Sequence, residues 1–405
     1  MADERPLIAH LLRRTTFGPR PGHVETLAAR GYGTALDAIL AAPALTPPTF
    51  TPGSQDDYGN LIQGWIRLMQ SSDAGLHEKM VWFWHGHLTS SLAKTQPLTM
   101  ARQHQTLRTH ALGNARDLFQ AMTNDAAMLE WLDGDGSASE GPNQNYGREL
   151  MELFALGIGH YSEDDVRAAA YALSGWVVDD KRDFRAGLHS EAGPQHDVTL
   201  LGRQVRDARG VVDAVVDHHA FAPFITTKLY RYFHGVTPTP DVSDVLAAGF
   251  RRDRYEIRPL VEAILRHPTF IEHRYTRPRF PIEWAIAAGS VLGIGEKDDL
   301  RDVLITLGQV PFEPPNVAGW AISPRWLSAG AAMTRAAFAW DHAQDTEAVS
   351  VADPVTWILE RAGLYDVADS SRAALQTAAN AVTGRRERAT LLHALVVTSP
   401  EFALA

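Results

Sequence analysis

The chain has 405 residues, no cysteine and a formal net charge of −10 at pH 7, with a pI near 5.9. An acidic chain lacks the basic surface that sequence-independent nucleic-acid binding needs, so we exclude nucleic acid as a partner. Without cysteine, disulfides, thiolate nucleophiles and iron–sulfur sites are excluded, and any metal site must use histidine and carboxylate ligands. The chain is long enough to bury a substantial core.

The N-terminal segment has acidic residues before its first arginine and lacks the basic start and apolar run of a signal peptide. No stretch approaches the ~20 consecutive apolar residues that cross a bilayer. These features predict a cytoplasmic protein without a membrane span.

Apolar residues recur with helical spacing from the first segment onward. Residues 6–40 predict two helices joined by the turn at 18–22, and residues 61–91 predict a further helix ending in WFWHGH. Gly86 is suited to the position just after a helix end, which would place His85 and His87 where both can turn toward one centre. In the alternative interpretation each imidazole only caps the last carbonyls of that helix.

The stretch from Asn143 to Trp176 contains two acids where a core-facing helix is expected. At ~100° per residue, Asn145, Glu149, Glu152 and Leu156 share one stripe. Buried glutamates are costly unless they are paired or bind a metal. They could bind a cation, or they could form a structural network with Arg148, Arg167 or Lys228. Ser162 and Asp165 form a capping-box-like start of the next helix, so 145–176 reads as a central helical hairpin.

Residues 177–204 are partly β-branched and are interrupted by glycine and proline, which predicts a short β-like insertion. Helices resume after it and continue into a C-terminal set at 353–405. The loop at 307–320 is rich in proline and glycine but apolar, so we expect it to pack over another part of the protein. Together these patterns predict a mainly α protein, with residues 1–405 forming one large helical domain.

Several blocks resemble, in order, those of the bacterial domain-of-unknown-function 1800 family, and the resemblance spans nearly the whole chain. The blocks are HLLRRTTFGPRP, WHGH, NYGRELMELFALG, YSEDDV, ALSGW, FITTKLYRYF, RPRFPIEW and LGQVPFEPPNVAGW. The resemblance implies functional positions at His85, His87, Asn145, Arg148, Glu149, Glu152, His189 and Lys228. Relatives commonly have an acid where this chain has Ser190. Many are exported and are encoded beside sulfatase-like proteins, which implies such a protein as a partner.

From these residues we expect His85, His87, Glu149 and Glu152 to converge on one divalent metal ion. His189 or water would complete the coordination. Asn145 and Arg148 would lie beside the ligands, and Lys228 would either bind an anionic substrate group or be solvated. Such ligands suit iron, manganese or zinc.

Three functional interpretations follow. The favoured one is a metal-dependent oxidoreductase that uses dioxygen, because His and Glu ligands hold iron or manganese while leaving positions open. The alternatives are a metal-dependent hydrolase acting on a small molecule or peptide, and a non-catalytic binding or assembly protein with a buried polar network. An open cleft reaching the His/Glu cluster would favour catalysis. The G-x-S-x-G, H-E-x-x-H and phosphate-loop motifs are missing.

Overall fold

Helices dominate the fold, and about 60% of the chain is helical. The computed structural model describes residues 3–47, 49–53, 56–71, 74–179, 184–295, 299–322, 324–344 and 351–405. Its strands form two small antiparallel sheets of two strands each. The prediction of a mainly α protein with a short β excursion is therefore confirmed.

The N-terminal segment forms three helices where the sequence predicted two. These are α1 (Arg5–Thr15), α2 (His23–Ala28) and α3 (Tyr32–Ala41). The second predicted helix is divided at Gly31, whose φ of +81° lies in the region that glycine tolerates best. Helix α1 is buried along most of its length, including Arg13 and Arg14, and it packs against α2 and α3.

The next five helices include one that is buried along nearly its whole length. They are α4 (Asp57–Gln70), α5 (Leu76–His87), α6 (Pro97–His110), α7 (Ala115–Thr123) and α8 (Ala126–Trp131). Asp56, Asn114 and Asp125 each accept a backbone N–H of the first turn of the following helix, which explains where α4, α7 and α8 begin. Helix α5 is the buried element, and it packs against α6.

The central stretch is less regular than predicted. Helix α9 (Asn145–Glu149) continues directly into a π-helix (Leu150–Ala155), and the run ends at Gly157, whose φ is +85°. π-Helical turns are rare and are often found at functional sites. Helix α10 (Glu163–Ala172) then begins with the predicted capping box, in which Ser162 and Asp165 bond each other's backbone N–H groups.

The β excursion consists of two separate hairpins. Strand β1 (Trp176–Asp179) pairs with β2 (Arg185–Leu188), and β3 (Val198–Leu200) pairs with β4 (Arg203–Val205). In the first hairpin Trp176 lies opposite Leu188, and in the second Val198 lies opposite Val205. Strand β3 packs on α10. The β excursion therefore lies against the helical hairpin that α9, the π-helix and α10 form.

The second half of the chain is helical. Its helices are α11 (Ala208–Val216), α12 (Phe221–His234), α13 (Pro240–Arg252), α14 (Ile257–Arg266), α15 (Thr269–Glu272), α16 (Pro281–Leu292), α17 (Arg301–Leu307), α18 (Ala329–Ala343), α19 (Pro354–Arg361), α20 (Asp369–Ala381), α21 (Arg385–Val397) and α22 (Pro400–Ala403). Helix α12 packs on α13, and α18 packs on α21. None of the helices in the described ranges is long and apolar enough to cross a membrane.

Candidate functional site

The WHGH segment belongs entirely to helix α5, which continues through Gly86 and ends at His87. The prediction that Gly86 follows the helix end is therefore wrong. Residues two apart on an α-helix are separated by about 200°, so the imidazoles of His85 and His87 leave α5 on nearly opposite sides. Helix continuity thus prevents the two rings from turning toward one centre.

His85 is a structural acceptor in the interior. Its Nε2 accepts the backbone N–H of Phe312 at 3.1 Å, and its ring lies 5.1 Å from Trp65 and 5.7 Å from Trp320 between centroids. Burial lowers the pKa of His85 to about 3, so the ring is neutral and Nδ1 carries its proton. The Nε2 lone pair that a metal would need is occupied by the 307–320 loop.

His87 has the opposite tautomer. Its Nε2 bonds the carbonyl oxygen of Phe154 at 2.8 Å, and because a carbonyl only accepts, Nε2 must carry the proton. Phe154 lies in the last turn of the π-helix, where carbonyl groups lack intrahelical partners. Burial, and then repulsion by Lys228, lower the pKa of His87 to about 3, which leaves Nδ1 as a neutral acceptor.

The acids of the central stretch have local partners instead of histidine neighbours. The hydroxyl of Tyr161 donates to Oε2 of Glu152 at 2.5 Å. Glu149 is half-buried, and burial followed by the charge of Glu152 raises the pKa of its carboxyl group. Arg148 pairs with Glu163 at 2.7 Å, and the side-chain amide of Asn145 makes a long 3.5 Å contact to Asp133.

A cavity lies beside His87. It has a volume of about 300 Å³, which lies at the lower end for small-molecule sites. We call it the His87 cleft; its lining residues are Trp82, Phe83, Gly86, His87, Leu153, Lys228, Arg231, Tyr232, Phe280, Gln309, Val317, Ala318, Trp320, Ala321 and Ile322. Helix α5, helix α12 and the apolar loop therefore form its walls.

The apolar loop closes over α5 through a glycine contact. A Cβ atom added to Gly319, whose φ is +73°, would collide with the carbonyl oxygen of Gly86. The same approach stacks the rings of Trp320 and Trp82, with centroids 5.0 Å apart and planes at 16°. The loop packs over α5 as expected, and this packing forms one aromatic wall of the cleft.

The polar groups of the cleft are cations and hydrogen-bond donors. Lys228 and Arg231 are solvent-accessible, and neither forms an ion pair with any described residue. Partial burial, followed by repulsion from Arg231, lowers the pKa of the Lys228 ammonium group. Gln309 accepts the backbone N–H of Ile282 at 3.1 Å through Oε1, which leaves its Nε2 without a partner.

Trp320 adds a second free donor, because its indole Nε1 is buried without a partner in the described structure. Among the described residues that line the cleft, none is aspartate or glutamate. The cleft is thus positively charged and rich in donors, with His87 Nδ1 as the ring nitrogen left to accept a hydrogen bond.

Comparison with known proteins places the chain in a family. The model of the family described as "Protein of unknown function (DUF1800)" matches residues 10–404. The chain belongs to the DUF1800 family. No curated protein and no solved structure matches this DUF1800 chain.

The structure of this DUF1800 protein brings together only part of the predicted site. Among the described residues, no group of three or more histidines and acids is arranged to hold a metal ion, so His85, His87, Glu149 and Glu152 do not share a centre. His189 is exposed after β2, and its backbone N–H donates to Gly175.

His87 and Lys228 are the two predicted residues that line the same cleft. Arg231, three residues after Lys228 on α12, lines the same cleft. Gln309 was missed, although its place in the LGQVP block was a signal that could have identified it. Its partner Ile282 is 27 residues away, and this contact is what leaves Nε2 unpaired.

Proposed function

We propose that this DUF1800 protein binds a small organic anion with a flat apolar body in the His87 cleft. The observation that carries the proposal is the combination of aromatic walls with Lys228 and Arg231 and with no acidic lining residue. A cleft of one charge sign concentrates ligands of the opposite sign, and carboxylates bind lysine and arginine through charge-assisted hydrogen bonds.

The apolar part of the ligand is defined by the rings. Trp82, Phe83, Tyr232, Phe280 and Trp320 supply aromatic lining, which favours stacking with a planar group. A volume of about 300 Å³ suits a molecule with one or two rings. An aromatic carboxylate is the simplest ligand with both properties.

Two buried donors support an acceptor-bearing ligand. Gln309 Nε2 and Trp320 Nε1 are unsatisfied, and a buried donor without a partner costs about 1–3 kcal/mol. Ligand oxygen atoms could satisfy them. His87 Nδ1 would accept a hydrogen bond from a hydroxyl or amino group of the ligand.

Calorimetric titration with benzoate and 2-naphthoate, each compared with its neutral amide, tests the proposal. We expect the carboxylates to bind at least tenfold more tightly than the amides. Lys228→Met and Arg231→Met should each weaken carboxylate binding about tenfold, or about 1.4 kcal/mol. Arg252→Met is the matched control, since Arg252 is exposed at the end of α13.

Equal affinity for acids and amides, or unchanged carboxylate binding in both cleft variants, would contradict the proposal. Gln309→Leu adds a test that leaves net charge unaltered, and it should also weaken carboxylate binding. Metal-dependent oxidation or hydrolysis, the cytoplasmic location and the sulfatase-like partner stay predictions from the sequence.

A further inference from the structure

Five basic side chains lie in the interior behind the His87 cleft, and we call them the interior basic cluster. They are Arg13, Arg14, Lys79, Arg277 and Arg279, and none is more than 2% exposed. Four come from the HLLRRTTFGPRP and RPRFPIEW blocks, and the proposed function uses none of these five side chains. The guanidinium of Arg277 lies 4.7 Å from the ring centre of Phe280, a residue of the cleft wall.

The cluster has far more positive than negative charge. Within the described part of the chain, Glu283 is the one carboxylate that pairs with it, accepting from Lys79 and, in two bonds of 3.0 Å, from Arg277. Burial alone would raise the pKa of Glu283, but Arg277 and Lys79 lower it to about 2. Arg13, Arg14 and Arg279 have no carboxylate partner there.

All four arginines of the cluster have unused donors, and Arg14 and Arg279 have two each. Arg14 donates through Nη2 to Thr276 and His273, but its Nε and Nη1 are buried without partners. Arg279 donates through Nε to the carbonyl of Leu404 at 3.3 Å, while both Nη1 and Nη2 are unpartnered. A buried charge that is neither paired nor fully hydrogen-bonded costs several kcal/mol.

The surroundings respond to this excess charge. Burial, followed by repulsion from Arg13, lowers the pKa of Arg279 to about 9, and burial lowers that of Lys79 to about 8. Burial, followed by repulsion from Arg277, also lowers the pKa of Arg14, and Arg13 and Arg279 add to this repulsion. These side chains therefore lie within each other's electrostatic field.

The backbone of Gly18 packs closely beside the guanidinium group of Arg279. Gly18 has a φ of +131°, and a Cβ there would come within 2.8 Å of Ala287 Cβ and 3.7 Å of Arg279 Nη1. Gly18 also lines a second cavity of about 180 Å³ between α1, α3 and α16. Gly18 is thus close both to Nη1 of Arg279 and to this cavity, whose lining residues in the described structure do not include Arg279.

We propose that the interior basic cluster binds a small inorganic anion, chloride, on the terminal nitrogens of Arg279 with Arg14 alongside. The anion would supply the missing negative charge and accept the unused N–H groups. It would link α1 to the segment before α16, so it would act as a structural ion that stabilises the fold.

Thermal unfolding in a chloride titration tests this inference, with ionic strength held constant by gluconate, which is too bulky for the interior. We expect the midpoint to rise by roughly 2 °C or more between 1 and 100 mM chloride, because a ligand bound only by the folded state stabilises it. Bromide should act like chloride, and its anomalous scattering in crystals should place one ion at Arg279.

Arg279→Met separates anion binding from a structural role. The variant should lose the chloride response and, in gluconate, should be at least as stable as the parent, because an unpaired buried charge has been removed. Arg335→Met is the matched control: Arg335 is also buried, with burial the cause of its lowered pKa, and it should keep the chloride response.

A chloride-independent midpoint together with no bromide at Arg279 would overturn the inference. A response to millimolar phosphate but not to halides would overturn the assignment of chloride. If Arg279→Met does not fold, the bromide position in the unmodified protein decides the question.

Discussion

At the residue scale, His85 and His87 use the same ring nitrogen in opposite ways. His85 accepts at Nε2 from Phe312, whereas His87 donates from Nε2 to Phe154. The first bond fixes the loop over α5, and the second leaves His87 Nδ1 able to accept from a ligand. The hydrogen-bond partners of the two rings therefore make His85 a structural histidine and His87 a candidate ligand-binding one.

We expect His85→Phe to destabilise the protein by about 1–3 kcal/mol at pH 7.5, because the buried N–H of Phe312 loses its acceptor. Urea denaturation measures the loss. The matched control is His189→Phe, which replaces an exposed imidazole and should cost little. A loss no larger than that of the control would show that the bond to Phe312 does not contribute.

The pH dependence of the same variant gives a second prediction. The pKa of His85 is lowered from 6.5 to about 3, so below pH 6.5 the unfolded chain binds a proton that the folded imidazole does not. Its contribution to stability is therefore lost as pH falls from 6.5 toward 3. His85→Phe should reduce this slope by about 1.4 kcal/mol per pH unit between pH 6 and 4. Identical slopes in variant and parent would contradict the assignment.

At the element scale, the cleft depends on how the 307–320 loop meets α5. The loop can approach α5 because Gly86 and Gly319 have no side chains to keep their backbones apart. Two hydrogen bonds then hold the loop: His85 accepts the backbone N–H of Phe312, and the hydroxyl of Thr89 donates to the carbonyl of Val317. On the other side, the π-helix presents the carbonyl of Phe154 to His87. The cleft thus forms where the 307–320 loop, the π-helix and α12 meet the C-terminal end of α5.

Gly319→Ala should destabilise the protein by about 2 kcal/mol or more, because the new Cβ collides with the Gly86 carbonyl and its φ is positive. It should also weaken ligand binding, since Trp320 would move away from Trp82. Denaturation and calorimetric titration measure the two effects. Gly330→Ala, a helical position with open space around it, should be neutral or slightly stabilising. An equal effect of both substitutions would exclude the glycine contact as the cause.

At the scale of the whole molecule, contacts between distant parts of the chain hold the N-terminal and C-terminal halves together. Lys79 on α5 pairs with Glu283 on α16, 204 residues later, and Arg13 on α1 donates to the carbonyl of Gly363. The buried residues of both halves belong to one hydrophobic cluster.

The prediction of one domain implies a single cooperative transition in calorimetry, with equal calorimetric and van't Hoff enthalpies. Far-ultraviolet circular dichroism should lose its helical signal in the same transition. Two resolved transitions would show that the halves unfold independently and would contradict the one-domain prediction.

Local features of the sequence determined much of the secondary structure. Helical periodicity predicted the α-rich body, the Ser162–Asp165 capping box predicted the start of α10, and the pattern after Trp176 predicted the β excursion. Such features depend on the backbone preferences of neighbouring residues, so they can be recognised without knowledge of the packing. The ordered blocks likewise identified the family, which the match over residues 10–404 confirms.

Only the tertiary structure decided how the chemistry-bearing residues group. Helix α5 continues through Gly86, whose carbonyl oxygen is closely approached by Gly319. That outcome turns His85 toward a loop 227 residues away and leaves His87 in a cleft with Lys228. The spacing of residues predicts the direction of a side chain only if the local backbone conformation is known. It does not predict which distant segment will pack against that side chain. For this reason the sequence suggested a metal centre, whereas the packing of the helices produces a positively charged aromatic cleft.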